Sequence, residues 1–467
     1  MTRTSLWQDR HRRSAERGEP SGHHDVAVVG AGLTGLTTAL LLARAGRSVV
    51  VLEAAHVGAG TTGRSTAKIS ALQGTRLSSV AGKHGPDVVK DYVEAQREAV
   101  AWLARFGDEH GVELQRRDAV TYATDASGER AVRRELEVAS AAGLAVEWDA
   151  ELPLPYPTRG GVRLRDQLQV DPIELLLALR EQAEAHGAVV VEGARVTSVR
   201  GSSPVTVTTE VGRVTADHVV VATNMPILDR GAFFARMEPA RSYSVAFRTP
   251  VPSVDAMYLS ADEPSRSLRD VVVDGAPALL VGGAGHTTGR VRHEAERLDQ
   301  LRHWTAQHFP EAVETHAWSA QDYVPHHALP YAGPVLPGSE AVLVAGGYSK
   351  WGMTNAVAAS LALSSRLLGG HTPWARAFQV WGPRDLAGLP TFLRHNGEVG
   401  LEMVRGWGTA LVGRSVREQG VSRVCTHLGG IVAWNDAEDS WDCPLHGSRF
   451  DTDGSVLDGP AVCGLRR

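Results

Sequence analysis

The sequence predicts an α/β domain with an inserted β-rich layer, followed by a small all-β unit. Three observations predict it. A β-branched strand near the N-terminus runs through spaced glycines into a helix, β-like runs fill the region from Phe233 to about Tyr331, and the texture changes past Trp381. The 467 residues allow about three domains at roughly 150 residues each. A net charge of -5 argues against a nucleic-acid surface. No apolar run reaches the roughly 18 residues that would predict a membrane span. Residues 1–24 are rich in Arg and His and lack an apolar core, which predicts a flexible N-terminal arm, anchored by Leu6 and Trp7, and not a secretory signal. The three cysteines all follow residue 420. They cannot make a disulfide framework and point to a local site in a reducing compartment, the cytoplasm by default.

From Asp25 to Val29 the residues are mostly β-branched and predict a buried parallel strand. Gly30-Ala-Gly32-Leu-Thr-Gly35 then turns into a small-residue helix, and a second strand, Ser48–Leu52, ends on Glu53. This is a Rossmann-like dinucleotide unit. Gly30 permits the turn, Gly32 lets backbone approach a pyrophosphate, Gly35 lets the helix pack on the strand, and Glu53 accepts from a ribose diol. The polar loop Gly58–Lys68 follows, and loops at the carboxyl ends of parallel strands bind ligands, so Arg64 and Lys68 are candidate cofactor contacts.

Helical spacing predicts helices over Pro86–Gly107 and Gly128–Gly143, with Asp171 and Pro172 starting another that Gly187 ends. Strands are expected at Val189–Glu192, leading to Arg195-Val196, at Val205–Thr209 and at His218–Thr223, with Val196 touching an adenine through backbone. One helix, Glu294–Phe309, is expected in the β-rich layer. Gly283-Ala-Gly285 there lacks the third glycine, replaced by Thr288, and is rejected as a second dinucleotide site. A strand at Ala341–Ala345, a loop Gly346–Thr354 and a helix Asn355–Leu368 follow. The positive end of that helix suits a group that gains negative charge on reduction.

The glycine fingerprint, Glu53, the strand Ala216–Thr223 and the loop Gly346-Gly347-Tyr348-Ser349-Lys350-Trp351-Gly352 together resemble the D-amino-acid oxidase and glycine oxidase superfamily. The resemblance implies an FAD-binding domain of the glutathione-reductase type over 25–80, 160–230 and 335–380. It also implies a substrate or cap domain over 81–159 and 231–334. Gly30, Gly32, Gly35, Glu53 and Val196 would hold the adenine half, with Arg64 or Lys68 reaching toward the phosphates or the ring. Gly347, Tyr348, Trp351, Gly352, Met353 and Thr354 would hold the flavin edge. With no cysteine before 425 and no histidine between Gly58 and Gln73, non-covalent FAD is expected. Where amino-acid oxidases of this superfamily carry an arginine for the substrate carboxylate and an aspartate further on, this chain has Asp322 and His327. An acid repels a carboxylate that an arginine would grip, so an amine fits better than an α-amino acid; alternatively Asp322 pairs with a structural base. Lys350, Tyr348, His286 and His327 are the catalytic candidates, with His326 and Tyr331 as further proton-transfer groups.

Past Trp381 a linker is expected over 381–398, then β-like runs at Leu401–Val404 and Thr409–Val412. Cys425-Thr-His427-Leu-Gly429 and Cys443-Pro-Leu-His446-Gly-Ser448 offer two thiolates and two imidazoles, able to ligate iron or structural zinc. The paired motifs resemble a Rieske iron-sulfur domain over 399–467. That resemblance implies a 2Fe-2S cluster with Cys425 and Cys443 on one iron and His427 and His446 on the exposed one. Gly430 and Leu445 stand where respiratory Rieske proteins carry a bracing disulfide. Phe450 stands where a potential-raising tyrosine often lies, so a low Rieske potential is expected. Cys463 is expected to be an ordinary buried thiol.

Together the two sites imply an FAD-dependent dehydrogenase. It would oxidise a small amine and relay electrons through the cluster to an acceptor protein or quinone, with no nucleic acid or membrane span involved. The alternatives are an oxygen-using flavin oxidase or monooxygenase fed by the cluster, and an electron-transfer protein without its own substrate.

Overall fold

The computed structural model of the chain describes residues 4–15, 18–412, 416–418 and 420–467. Parts of the expected arm (1–3, 16–17) and of the last domain (413–415, 419) lie outside the described residues. The central strand His23–Val29 pairs in parallel with Val49–Leu52 on one side and Arg213–Val221 on the other. Val189–Val191 extends this sheet beyond Val49–Leu52, and Val342–Gly346 then Tyr331–Pro334 extend it beyond Arg213–Val221. Val26, Val28 and Val220 are buried under the helices Leu33–Arg44, Pro172–Ala185 and Gly352–Leu367 on one face, and Val50 on the other under the antiparallel strands Val196–Arg200 and Val205–Thr209.

A second sheet forms the cap. Its order runs Val313–Pro325, Met237–Arg248, Ala276–Thr287, Arg266–Val273, Met257–Ser260, Gln115–Tyr122, Gly161–Gln169, Lys68–Ile69. Three boundaries therefore differ from those expected. Gly161–Gln169 and Lys68–Ile69 pair in the cap sheet, while Tyr331–Pro334 pairs in the dinucleotide sheet. Strand partners lie far away in sequence, so local pattern does not assign a strand to its sheet. Gly283 and Gly285 lie inside the cap strand Ala276–Thr287 and not at a strand-to-helix turn, in keeping with their rejection as a dinucleotide motif.

The helices Pro86–His110, Ala126–Ala141, Pro172–Ala185 and Ala295–His308 stand close to where periodicity placed them. The late helix starts three residues earlier than expected, at Gly352. The arm is packed where it was expected to be flexible. Ser5 caps a short helix, Leu6–Arg10, whose Leu6 and Trp7 are buried. Its polar groups hold the loop after the second strand. Ser5 Oγ donates to Gly63 O (2.5 Å), Trp7 Nε1 to Ser65 O (2.8 Å), and Gln8 Nε2 to Gly58 O (2.9 Å).

The expected linker, 381–398, holds a short 3-10 turn, Pro383–Gly388, and its remainder from Leu389 joins both β-like runs in one helix, Leu389–Val412. Gly397, Gly400, Gly406 and Gly408 lower its intrinsic helicity and hide its pattern. Packing restores it. Val399 and Met403 lie on the core of the last domain, and a Cβ on Gly406 would stand only 3.0 Å from the Ile431 side chain. The last domain is a four-stranded antiparallel sheet, Ala433–Asn435, Ser440–Asp442, Arg449–Phe450 and Val456–Asp458, around buried Trp441 and Phe450.

Candidate active site and cluster site

The strand-to-helix turn after Val29 leaves no room for side chains. A Cβ on Gly35 would fall 1.8 Å from Gly30 O, and one on Gly30, which has φ +101°, 2.8 Å from Ala222 O. A Cβ on Gly32 would meet only the Thr62 hydroxyl, at 3.5 Å, because this glycine faces an open cavity. Glu53 lies at the same end. Its carboxylate accepts from Ala31 N (2.8 Å) and Ala55 N (2.9 Å), while burial raises its pKa against those amides.

The cavity, of about 460 Å³, runs from Glu53 and Val196 past Gly30–Thr34 to the cap sheet at Ser242–Ser244 and Gly282–Gly285. The N-terminus of the helix Gly352–Leu367 opens on it beside that of Leu33–Arg44. Ser360 Oγ donates to Thr34 O (2.9 Å), and the Thr34 and Tyr348 hydroxyls are 2.8 Å apart, so the two helix starts are tied together. Ser349 and Lys350 both have positive φ, of +54° and +71°. That unfavourable turn is held by Asp322, whose Oδ1 accepts from Tyr323 N (2.7 Å) and Oδ2 from Lys350 N (2.5 Å). Burial pushes Asp322 up to about 6 against those two amides.

Lys350 extends along the cavity toward Gly285, where an added Cβ would meet its Nζ at 2.6 Å. Burial lowers its pKa, with Asp322 opposing. Lys68 Nζ donates to Tyr258 O and to Ser267 Oγ, both at 2.7 Å, and burial lowers its pKa well below the ordinary value. Arg64 also lines the cavity, and its guanidinium is 3.1 Å from Glu438 of the last domain.

Several candidates stand off the cavity. His286 Nε2 is 3.2 Å from the Tyr243 hydroxyl and 3.5 Å from Glu294, in a polar network between the cap and the last domain. His327 is buried behind the sheet, where its Nδ1 accepts from Leu329 N (3.1 Å), and burial lowers its pKa well below the usual range. Gly347 turns against Pro325, and Thr354 accepts from Gln73 Nε2 (2.9 Å). None of these four is among the residues lining the cavity. Lys350, Tyr348, Trp351, Gly352 and Met353 are.

In the last domain the Cys-x-His turn at Cys425 and the Cys-x-x-His turn at Cys443 share one backbone geometry. Gly429 N donates to Cys425 O (3.0 Å) and Gly447 N to Cys443 O (3.1 Å), each glycine left-handed. Both cysteines are buried and free, and the two histidine rings lie 5.3 Å apart. Adjacent thiols push one another apart in acidity, Cys425 down and Cys443 up. Backbone amides of His427 and Leu428 favour the Cys425 thiolate, as those of Leu445 and His446 favour that of Cys443.

Residues 25–366 match the family described as FAD dependent oxidoreductase. The chain belongs to that family. Residues 408–466 of the oxidoreductase match the Rieske [2Fe-2S] domain. Over 472 aligned residues it is 30% identical to YhfW of Bacillus subtilis, named as a Rieske 2Fe-2S iron-sulfur protein, with 95% of this chain and 93% of that protein covered. Glycine oxidase from Geobacillus kaustophilus superposes with TM-score 0.66 at 21% identity, covering 77% of this chain and 98% of that one. L-proline dehydrogenase from P. horikoshii gives TM-score 0.66 at 17% identity, with the same coverage of 77% and 98%. At such identities the two solved structures show the shared fold alone.

The cofactors of this oxidoreductase are FAD and a Rieske 2Fe-2S cluster. The residues fit both. Bare Gly32 and two adjacent helix N-termini suit a dinucleotide carrying phosphates and an electron-accepting ring. In the last domain His446 Nδ1 is buried without a partner beside His427 and the two thiols, as a ligand nitrogen would be.

The imidazole edge is not the exposed one. His446 is 4% exposed and the His427 side chain 7%. Both rings pack on Phe234, at 5.3 and 5.0 Å between centroids, and His427 Nε2 stands 3.0 Å from Asp229 Oδ1. Gln321, which lines the cavity, donates from Nε2 to Gly447 O (2.7 Å), next to His446. Leu457–Gly459 of the last domain also reach the cavity wall. Asp229, Phe234 and Gln321 had no motif to mark them in the sequence. Cys463 is exposed, contrary to expectation, because its strand-free segment lies on the surface, where its carbonyl accepts from Thr426 Oγ1 (2.5 Å). Gly430 and Leu445 do lie side by side; an added Cβ on the glycine would be 2.6 Å from Leu445 Cδ1, so an apolar contact stands where a disulfide braces other Rieske domains.

Proposed function

We propose that this oxidoreductase is a dehydrogenase for a small amine, and that it relays electrons one at a time from the flavin site through the cluster to an external protein or quinone. The observation that carries the reading is the inward imidazole edge, packed on Phe234, with Gln321 reaching from the cavity wall to the turn that carries His446. When bound, FAD supplies a two-electron acceptor and the cluster a one-electron carrier. Gly30, Gly32, Gly35, Glu53 and Val196 position the dinucleotide, and Tyr348 to Met353 the ring edge, in a cavity whose described lining has no cysteine or histidine to tether it. Asp322, titrating at about 6, is suited to accept a proton from a substrate ammonium. Lys350 orients a polar group of the substrate. Cys425, His427, Cys443 and His446 hold the cluster.

Electrons leave on the side away from Phe234, where Thr426 and Leu428 of the first turn are exposed. No helix among the described residues is long and apolar enough to cross a membrane. We place the protein in the cytoplasm, in keeping with two cysteines given to the cluster and Cys463 left as a thiol.

The test is an anaerobic screen of amines against the holoprotein. A substrate should bleach the flavin and then raise the rhombic EPR signal of the reduced cluster. Bleaching with no cluster signal, together with rapid oxygen consumption in air, would sink the relay in favour of an oxidase. No bleaching with any amine would remove the amine.

A further inference from the structure

Away from the cavity, three elements meet beside the second cluster turn: the cap strand Met237–Arg248, the helix Leu389–Val412 and the segment after Ala276–Thr287. Glu238, on the strand, faces His395 and Glu398, which stand one turn apart on the helix. One ligand atom from each of the three lies within 4.8 Å of the others. His395 is 0% exposed, and neither of its ring nitrogens has a partner. His326 packs against it at 5.1 Å between centroids, and both of its nitrogens also lack partners. Buried polar groups are nearly always hydrogen-bonded, and those that are not call for a water or an ion.

The carboxylates are already braced. Glu238 Oε1 accepts from Thr287 Oγ1 (2.6 Å), leaving Oε2 facing His395 Nδ1 at 3.9 Å. That separation is too long for a hydrogen bond. Glu398 Oε2 accepts from Arg290 Nη1 (2.8 Å), and its Oε1 lies 3.8 Å from Arg394. The two acids are 25% and 39% exposed, so an ion has a way in from solvent, with the buried imidazole on the closed side.

We propose that Glu238, His395 and Glu398 bind a divalent first-row transition-metal ion. A mixed imidazole and carboxylate set suits Zn(II) or Fe(II), whereas Ca(II) and Mg(II) take oxygen donors alone. Neither the flavin site nor the four cluster ligands account for it. Arg290 joins this site to the cluster, for its Nε donates to Pro444 O (3.1 Å), between Cys443 and His446 in the chain, while its Nη1 holds Glu398.

The probe is Zn(II), measured by equilibrium dialysis against FAD- and cluster-loaded full-length protein. The background is Cys463→Ser, to remove the exposed thiol. The parent should retain one Zn(II) per chain more than His395→Ala and more than Glu238→Gln, with all three keeping the same flavin absorbance and reduced-cluster EPR signal. Equal Zn(II) in all three proteins would overturn the site. Should His395→Ala fail to fold, Glu238→Gln, at a carboxylate that is 25% exposed, decides the matter alone.

Discussion

Asp229 Oδ1 and His427 Nε2 stand 3.0 Å apart across the junction of the dinucleotide domain and the Rieske domain. An acid at this distance from His427, a proposed cluster ligand, disfavours adding an electron. Asp229→Asn should therefore raise the cluster potential. Because the Asp229 side chain is 74% exposed, solvent screening limits the effect to at most about 60 mV, the one-electron equivalent of about 1.4 kcal/mol. An EPR-monitored redox titration checks it, and an unchanged or lowered potential would contradict the contact.

Gln321 is buried and holds two units together, donating to Gly447 O and Tyr323 Oη and accepting from Thr288 Oγ1. Gln321→Leu orphans those groups, at about 1–3 kcal/mol for each one left unsatisfied. The melting temperature should fall and flavin-to-cluster transfer in stopped flow should slow. A lower melting temperature with an unchanged transfer rate would make Gln321 a brace only.

Asp322 predicts a pH dependence. Its folded pKa, about 6, lies above the ordinary 3.8. Its contribution to stability is thus full below pH 3.8 and lost as pH rises through about 6. Asp322→Asn should flatten that slope between about pH 4 and 6 in melting curves. It should also remove an inflection near pH 6 from the rate of flavin reduction by substrate. An inflection that persists in the variant assigns the proton elsewhere.

The two neighbouring glycines of the fingerprint should fail in different ways. Gly32→Val has space toward the cavity and should fold, purifying with the cluster spectrum but without flavin. Gly35→Ala drives a methyl into Gly30 O and should lower stability itself. If Gly32→Val retains FAD, the pyrophosphate does not cross that residue.

Trp7 is 1% exposed, and its indole donates to Ser65 O. Trp7→Ala should cost about 3–5 kcal/mol and loosen the loop Gly58–Lys68, so that FAD dissociates more readily on dilution. Full stability in the variant would mean that the arm is dispensable.

What could be read before folding was local. The fingerprint turn and the two Cys-His turns are short, because backbone contact, φ and ligand direction are set within about six residues. Periodicity placed the helices around Pro86, Ala126, Pro172 and Ala295 for the same reason. The helix Leu389–Val412 was missed because its glycines break the pattern and only contact with Ile431 and the Rieske core restores it.

Local motif was enough to point to a dinucleotide at Gly30, Gly32 and Gly35 and to Cys425, His427, Cys443 and His446 as one proposed ligand set. It took the packed chain to turn the imidazole edge inward onto Phe234, to span from cavity to cluster turn with Gln321, and to set His286 and His327 off the cavity. Such relationships join residues far apart in the chain, 126 positions for Gln321 with Gly447 and 198 for Asp229 with His427. Their side chains meet because two sheets and a small domain pack together, and no local spacing encodes that packing.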